Sequence, residues 1–424
     1  MHVPDPSRSH AWKPTPLAVL GGAPAFAEPL HVGRPNVPDR AKLLERIEGA
    51  LDRRWFTNDG PLVQEFEAAL CRQLQVKHVV AMCNGTTALE IAIRALDLKG
   101  EVIVPSFTFV ATAHALQWQE ITPVFADIEP ATHLIDPAQV ERLITPRTTG
   151  IIGVHTWGRP CDVDALTEIA DRHGLTLLFD AAHAMGCTHR GVPIGRFGAA
   201  EVFSFHATKC VHSFEGGAVA TNDDALAEKL RLMRNFGFAG YDRVVYLGIN
   251  GKLSEIHAAM GLTSLEELPR VVTHNRRNFE LYRQGLAGLP GLRLLGYDDA
   301  NPSDHEQQRN YQYVVVECDP AVSPLGRDEF VAVLTAENVR ARRYFYPGCH
   351  RMEPYRSLMP AAGERLPVTE QVAAKVLLLP TGPTVGESEI ETICGILQRA
   401  AAESVAVRQA LPPPDGNSPE CRIL

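Results

Sequence analysis

Apolar and polar residues follow two periods along this chain, one helical and one strand-like, and the two keep trading places from Asn58 to about Asn250. Leu62, Phe66, Ala69, Leu70 and Leu74 share one helical face, and Pro61 after Asp59 and Gly60 is a first-turn residue, so a helix starts there. Short apolar runs predict strands over 76–82, 102–104, 123–126, 150–154 and 175–179, with helices over 87–96, 110–117, 138–143 and 163–172 between them. Strands that are apolar nearly throughout and alternate with helices mean a mainly parallel sheet covered on both faces. Ligands of such sheets sit at the carboxyl ends of the strands. Beyond Asn250 the pattern becomes a helical run over 255–286, then mixed elements: a strand over 311–316 and helices over 327–336 and 389–397. The expected layout is an N-terminal arm (1–56), a large α/β domain (57–270), a smaller α+β domain (271–408) and a Pro-rich tail (409–424).

Composition narrows the possibilities. At 424 residues with 45% hydrophobic, 21% charged and 7% aromatic residues, the chain is an ordinary globular protein of two or three domains. A formal charge of -9 provides no basic field for nucleic acid, so small ligands held at local sites are expected instead. The nine cysteines form an odd, scattered set unlike a secreted disulfide framework, and no signal peptide or membrane span is read, so a cytoplasmic location is expected. Cys421-Arg422-Ile423-Leu424 matches a prenylation pattern, but no polybasic stretch precedes it, and it is read as part of the tail.

Three segments carry candidate chemistry. Cys83-Asn84-Gly85-Thr86-Thr87-Ala88-Leu89 lies between an apolar strand and a helix, where free backbone N–H groups and hydroxyls suit a phosphate; alone it reads equally as a capped helix. It is neither a P-loop nor a dinucleotide turn. Asp180 follows an apolar strand, where a carboxylate needs a cationic partner or serves as a cap. Lys209, one of eight lysines, follows the aromatic strand Phe203-Ser204-Phe205 and precedes Gly216-Gly217. A lysine in apolar surroundings loses its charge readily and can form a Schiff base, whereas an arbitrary lysine is a surface residue. Together the three suit pyridoxal phosphate, with an anion turn, a carboxylate for the pyridine nitrogen and an amine for the aldehyde. Pro105-Ser106-Phe107-Thr108-Phe109 adds two aromatic rings, either of which stacks on a flat cofactor or packs in the core.

With these residues in place, the chain from about Thr57 to Ala400 resembles the pyridoxal-phosphate-dependent sugar aminotransferases of the DegT and DnrJ type, which have the fold-type I architecture. The resemblance rests on the segments above. It also rests on Thr57-Asn58-Asp59-Gly60-Pro61, Asp180-Ala181-Ala182-His183, Gly248-Ile249-Asn250, Glu255 with Ala258-Ala259, and 344–350. It implies that Lys209 forms the Schiff base and that Asp180 keeps the pyridine nitrogen protonated. Gly85, Thr86, Thr87 and Ser204 would hold the phosphate, and Phe109 would stack on the ring. His183 stands where many members have Gln and would contact the phenolic oxygen, with a titration near neutral pH. Asn250 would reach the phosphate of a neighbouring subunit, implying a homodimer with shared sites. Lys252 replaces a frequent Arg and cannot make its bidentate contact.

The implied reaction is ping-pong transamination. L-glutamate converts the cofactor to pyridoxamine phosphate, which then aminates a nucleoside-diphosphate-linked 4-keto-6-deoxyhexose, dTDP-linked, in antibiotic or cell-surface sugar pathways. Arg342, Arg343 and His350 are candidates for the diphosphate or else surface charges. Three alternatives stand beside it: amination of a 3-keto sugar nucleotide, amination of a keto-inositol, and a non-catalytic, regulatory pyridoxal-phosphate-binding protein. His183, Cys187 and His189 repeat the spacing of His206, Cys210 and His212, but neither set has a zinc-site spacing and the second brackets Lys209, so no metal is expected.

Overall fold

The computed structural model describes residues 16–296 and 307–412. The chain begins with β1 (Leu30–His31), α1 (Arg40–Arg53), α2 (Pro61–Leu74), β2 (His78–Met82), α3 (Gly85–Ala95), β3 (Glu101–Pro105), α4 (Ala111–Gln117), β4 (Thr122–Ala126), α5 (Pro137–Arg142), β5 (Thr148–Val154), α6 (Val163–His173) and β6 (Thr176–Asp180). A small hairpin, β7 (Thr188–His189) and β8 (Val192–Pro193), precedes β9 (Ala200–Ser204), β10 (Gly217–Thr221), α7 (Asp224–Met233), α8 (Glu255–Glu266) and α9 (Leu268–Gly285). The remainder is β11 (Leu292–Leu294), β12 (Val314–Cys318), α10 (Arg327–Ala336), β13 (Val339–Arg340), α11 (Tyr355–Leu358), α12 (Pro367–Lys375), β14 (Val376–Leu379), α13 (Glu387–Ala402) and α14 (Ser404–Ala410).

Seven strands form the main sheet in the order β2-β10-β9-β6-β5-β3-β4. β10 runs antiparallel to both of its neighbours, and the pairs from β9 to β4 are all parallel. Helices cover both faces because the strands are apolar on both sides: Val80, Val102 and Val219 face one buried cluster, and Val79, Ala81 and Ala218 another. The expected mainly parallel α/β fold is therefore present. The smaller unit is the antiparallel sheet β11-β12-β14, whose Val314, Val316 and Leu377 pack with Tyr282 of α9, Phe330 of α10 and Ile393 of α13.

Several elements depart from the sequence-based expectation. Within the expected arm, Asp39 caps α1 by accepting from the Ala41 and Lys42 N–H groups, and Leu43 and Ala50 join the core cluster of Phe66. The helical run over 255–286 is two helices, because Pro269 has no N–H to continue α8 and instead occupies the first turn of α9. The strand expected from residue 311 starts at Val314, since Tyr311 has φ 51° and cannot extend a ladder. The tail expected from residue 409 begins as the end of α14, while 413–424, with the prenylation-like match, lies outside the described residues.

Buried carboxylates fix the helix starts near the site. Glu255 accepts from the Leu62 and Val63 N–H groups at 2.9 Å, closing the N-terminus of α2. Gly60 allows this, since a Cβ there would lie 2.5 Å from the Glu255 carboxyl carbon. Asp127, at the end of β4, accepts from the Val368 and Thr369 N–H groups and so joins α12 to the main sheet.

Candidate active site

The carboxyl ends of β2, β3, β6 and β9 converge on one edge of the sheet, and the candidate residues lie there. Asp180 ends β6, paired in register with Val154 and Val202. It is 6% exposed; its Oδ2 accepts from Thr112 Oγ1 at 2.8 Å and its Oδ1 from the Ala182 N–H at 3.0 Å. Burial pushes its pKa up, while those two hydrogen bonds and the charge of Lys209 pull the other way. No cation forms an ion pair with Asp180 among the described residues.

Lys209 lies in the turn after β9, where its N–H bonds to His206 O at 2.9 Å. Its Nζ donates to Tyr313 Oη at 3.3 Å, and enclosure of the ammonium lowers its pKa to about 8, against the opposing pull of Asp180 and Tyr344. The lysine is therefore held near the point where a neutral amine is available at physiological pH.

Next to it, Asn84 caps α3 by accepting from the Thr87 N–H at 2.8 Å. The Gly85 and Thr86 N–H groups at the helix start have no acceptor among the described residues. Ser204 stands beside them, as a Cβ on Gly85 would lie 3.3 Å from its Oγ. Gly217 pairs with both Ser204 and Met82, and a Cβ there would lie 2.5 Å from Asn84 O, so only glycine lets β10 approach the turn this closely. This is a cradle of N–H donors and a hydroxyl, suited to a phosphate.

The two phenylalanines after β3 separate cleanly. Phe107 is buried edge-on against Trp157, His133 and Phe345, whereas Phe109 is 56% exposed on the site edge. His183 is buried, nearly parallel to Phe345 and Trp157, with Tyr313 edge-on at 4.8 Å. Its Nδ1 is buried without a hydrogen-bond partner. Burial and the charge of Lys209 hold its pKa well below the usual histidine value, which corrects the expectation of a titration near neutral pH: His183 is neutral there.

The tentative substrate residues are scattered. His350 is buried with both ring nitrogens engaged, Nδ1 with Ser106 Oγ at 2.7 Å and Nε2 with Glu370 at 2.9 Å, so it acts as a clasp between the two units and is not available to a diphosphate. Arg343 pairs with Asp328 and stacks on Tyr346. Arg342 pairs its backbone with Leu378. Lys252 donates to Asn235 at 3.0 Å and lies over the Phe236 ring. Asn250 is exposed and bridged to Asn235, and the next residue, Gly251, accepts from the Cys83 N–H at 2.9 Å beside the 84–87 turn.

Comparison with known proteins settles the class. Residues 38–398 match the model of the DegT/DnrJ/EryC1/StrS aminotransferase family. The chain belongs to this family. It is 36% identical over 371 residues to dTDP-4-amino-4,6-dideoxy-D-glucose transaminase of Escherichia coli, covering 87% of this chain and 98% of that protein. It is also 36% identical over 353 residues to GDP-perosamine synthase of Caulobacter vibrioides, covering 82% of this chain and 92% of that one. Among solved structures it resembles DesI in the presence of its TDP-sugar product, with a TM-score of 0.86, 49% identity and coverage of 93% and 98% of the two chains.

The DegT/DnrJ/EryC1/StrS chain is thus a pyridoxal-phosphate-dependent aminotransferase with the family's α/β fold. Its residues fit that cofactor on local grounds: a buried carboxylate with raised pKa and no ion pair, an orphaned imidazole nitrogen, a donor cradle and a lysine of low pKa, all on one sheet edge. Two groups at the site escaped the sequence reading. Thr112 carries no mark of a site residue in the sequence beyond its i, i+4 spacing from Thr108 on the way into α4. Tyr313 is brought to Lys209 by the small unit from 104 residues away, and no local pattern marks it.

Proposed function

We propose that this enzyme transfers an amino group from L-glutamate to a nucleoside-diphosphate-linked 4-keto-6-deoxyhexose, dTDP-linked, giving a 4-amino-4,6-dideoxy sugar nucleotide. The observation that carries the reading is the meeting of Lys209, Asp180 and the Asn84–Thr87 turn on one sheet edge; the substrate class rests on likeness to the E. coli transaminase and to DesI. Bound pyridoxal phosphate supplies an aldehyde that takes the amino group and a protonated ring that accepts electrons from the neighbouring carbon. Gly85, Thr86, Thr87 and Ser204 would hold its phosphate, and Phe109 would lie against its ring. Asp180 would keep the proton on the ring nitrogen, and that pairing would relieve a carboxylate whose burial otherwise disfavours its charge. Neutral His183 donates or accepts one hydrogen bond at the phenolic oxygen without adding charge. Lys209, whose pKa is lowered to about 8, would serve as the base at the amino donor's α-carbon and as the proton carrier at the carbon of the sugar's ketone.

A homodimer completes the site in this reading. The loop 236–249 exposes Phe236, Phe238, Tyr241, Val244, Leu247 and Ile249, more apolar surface than a monomer ordinarily leaves to water, and Asn250 follows directly. The cytoplasm and an antibiotic or cell-surface sugar pathway are the setting we assign. The test is mass spectrometry of products from a panel of nucleotide-linked 3-keto and 4-keto sugars with L-glutamate. A new amine at C4 of a dTDP sugar supports the reading; amination only of 3-keto sugars or keto-inositols, or of nothing, overturns it.

A further inference from the structure

Tyr313 is the one side chain that hydrogen-bonds to the amine of Lys209 among the described residues, and packing does not explain its hydroxyl. It immediately precedes β12 in the smaller unit, is 8% exposed, and its Oη accepts from Lys209 Nζ at 3.3 Å. The ring cannot swing away, because it stands edge-on to His183 at 4.8 Å and to Trp157 at 5.5 Å. The backbone before it is fastened to the two loops that carry the reactive groups. Asn310 Nδ2 donates to His183 O at 2.8 Å and to Met185 O at 3.1 Å, in the loop after Asp180. Gln312 Oε1 accepts from the Cys210 N–H at 3.1 Å, one residue beyond Lys209. A ring held only to fill space needs no oxygen, whereas this one presents its oxygen to the amine from a fixed position.

Burial lowers the proton affinity of Lys209, and Asp180, Tyr344 and Cys210 oppose it. His183 also faces the amine, but its own proton affinity is too low for it to carry charge near neutral pH. Tyr313 differs from all of these. Burial raises its pKa, so it stays protonated and uncharged beside the lysine. A neutral hydroxyl acts on the amine through the hydrogen bond, with a lone pair that accepts from an ammonium N–H. A base that has taken a proton from carbon must keep it until the next carbon is presented, while the electron pair of the broken C–H bond passes into the cofactor ring. A buried ammonium without an acceptor sheds that proton more readily. Tyr313 supplies the acceptor.

We infer that Tyr313 is a positioning residue for Lys209, holding the free ε-amine and its acquired proton between the two carbons that the proton leaves and reaches. The inference rests on the reading of Lys209 as the base. It is tested with Tyr313→Phe, which keeps the ring and removes the oxygen, and with Gln312→Met, which loosens the segment and leaves the hydroxyl in place. On cofactor-free protein, the rate of pyridoxal phosphate capture against pH reports the protonation of Lys209. On loaded enzyme, stopped-flow absorbance follows the half-reaction with L-glutamate and with its α-deuterated form. Loss of an acceptor that favours the ammonium should move the capture midpoint of Tyr313→Phe toward acid by about one pH unit. The half-reaction should slow about tenfold or more at saturating glutamate, with KM within about threefold and a larger deuterium effect, as proton transfer becomes the slow step. Gln312→Met should move both readouts in the same direction by less, and it decides the matter where Tyr313→Phe does not fold. A midpoint that stays at the wild-type value or moves to higher pH overturns the inference even where turnover falls, because lost packing alone slows the enzyme without that shift. A wild-type half-reaction in Tyr313→Phe overturns it as well. A borohydride label on a lysine other than Lys209 in the wild-type protein overturns the reading of the base itself, a result distinct from a label on Lys209 with an unmoved midpoint.

Discussion

Replacing Thr112 by valine removes one hydroxyl and nearly preserves side-chain volume. Thr112 is fully buried in α4, its Oγ1 donates to Asp180 Oδ2 at 2.8 Å, and Thr108 Oγ1 lies 3.1 Å behind it. A threonine hydroxyl has one proton, so with Thr112 donating to the carboxylate it is Thr108 that donates to Thr112. The loop that carries Phe109 is thereby tied to Asp180, linking the residue proposed for the cofactor's ring face to the one proposed for its ring nitrogen. A hydrogen bond to a charged acceptor is worth about 1.5–3 kcal/mol, or about 10- to 150-fold in an equilibrium constant. Valine leaves the Ala182 N–H as the remaining donor to Asp180 among the described residues, and the carboxyl's pKa, already raised by burial, rises further. The ionised form that pairs with the ring is then lost at a higher pH as the pH falls, so the deficit grows toward acid. Titration of pyridoxal phosphate into the protein, followed by absorbance between about pH 6 and 8, should show affinity reduced by about 10- to 100-fold at neutral pH and by more at the acid end. Thr112→Ser should recover most of it. Wild-type affinity and pH dependence in Thr112→Val would refute the reasoning.

Capture of pyridoxal phosphate by cofactor-free protein should speed up with pH and level off above about 8, because the neutral amine is the nucleophile and Lys209 loses its proton through that range; a flat rate profile across it would contradict the assignment. Gly217→Ala should weaken cofactor binding and lower stability by about 1–3 kcal/mol, read by thermal melting, since its Cβ would sit 2.5 Å from Asn84 O in the phosphate turn. His350→Ala should lower stability by about 1–3 kcal/mol, with dTDP affinity changed by less than about twofold, because its ring joins Ser106 to Glu370 and is not open to ligand. A large loss of dTDP affinity at unchanged melting temperature would restore His350 to the substrate site.

What the sequence made legible was local. Apolar strands between amphipathic helices fixed the parallel sheet. The residues after those strands, Asn84 to Thr87, Asp180 and Lys209, were readable because chemistry-bearing groups at the ends of buried strands are out of place unless a ligand explains them. What pattern could not supply were contacts made by the fold itself. Tyr313 meets Lys209, and His350 meets Ser106, across more than 100 residues for reasons no periodicity encodes; Glu370, 20 residues from His350, is equally unmarked. His183 looked like a neutral-pH titrator because exposure was unknown, and its burial reverses that. Pro269 and Asp39 were visible as helix signals, so the split of α8 from α9 and the presence of α1 were there to be read.

The central claim is that Lys209 is the residue that holds the cofactor. Reducing the pyridoxal-phosphate-loaded protein with borohydride and mapping its peptides by mass spectrometry should place the added phosphopyridoxyl mass on Lys209 and on none of the other seven of its eight lysines. A label on another lysine, or none on a protein with proven cofactor content, would contradict the account.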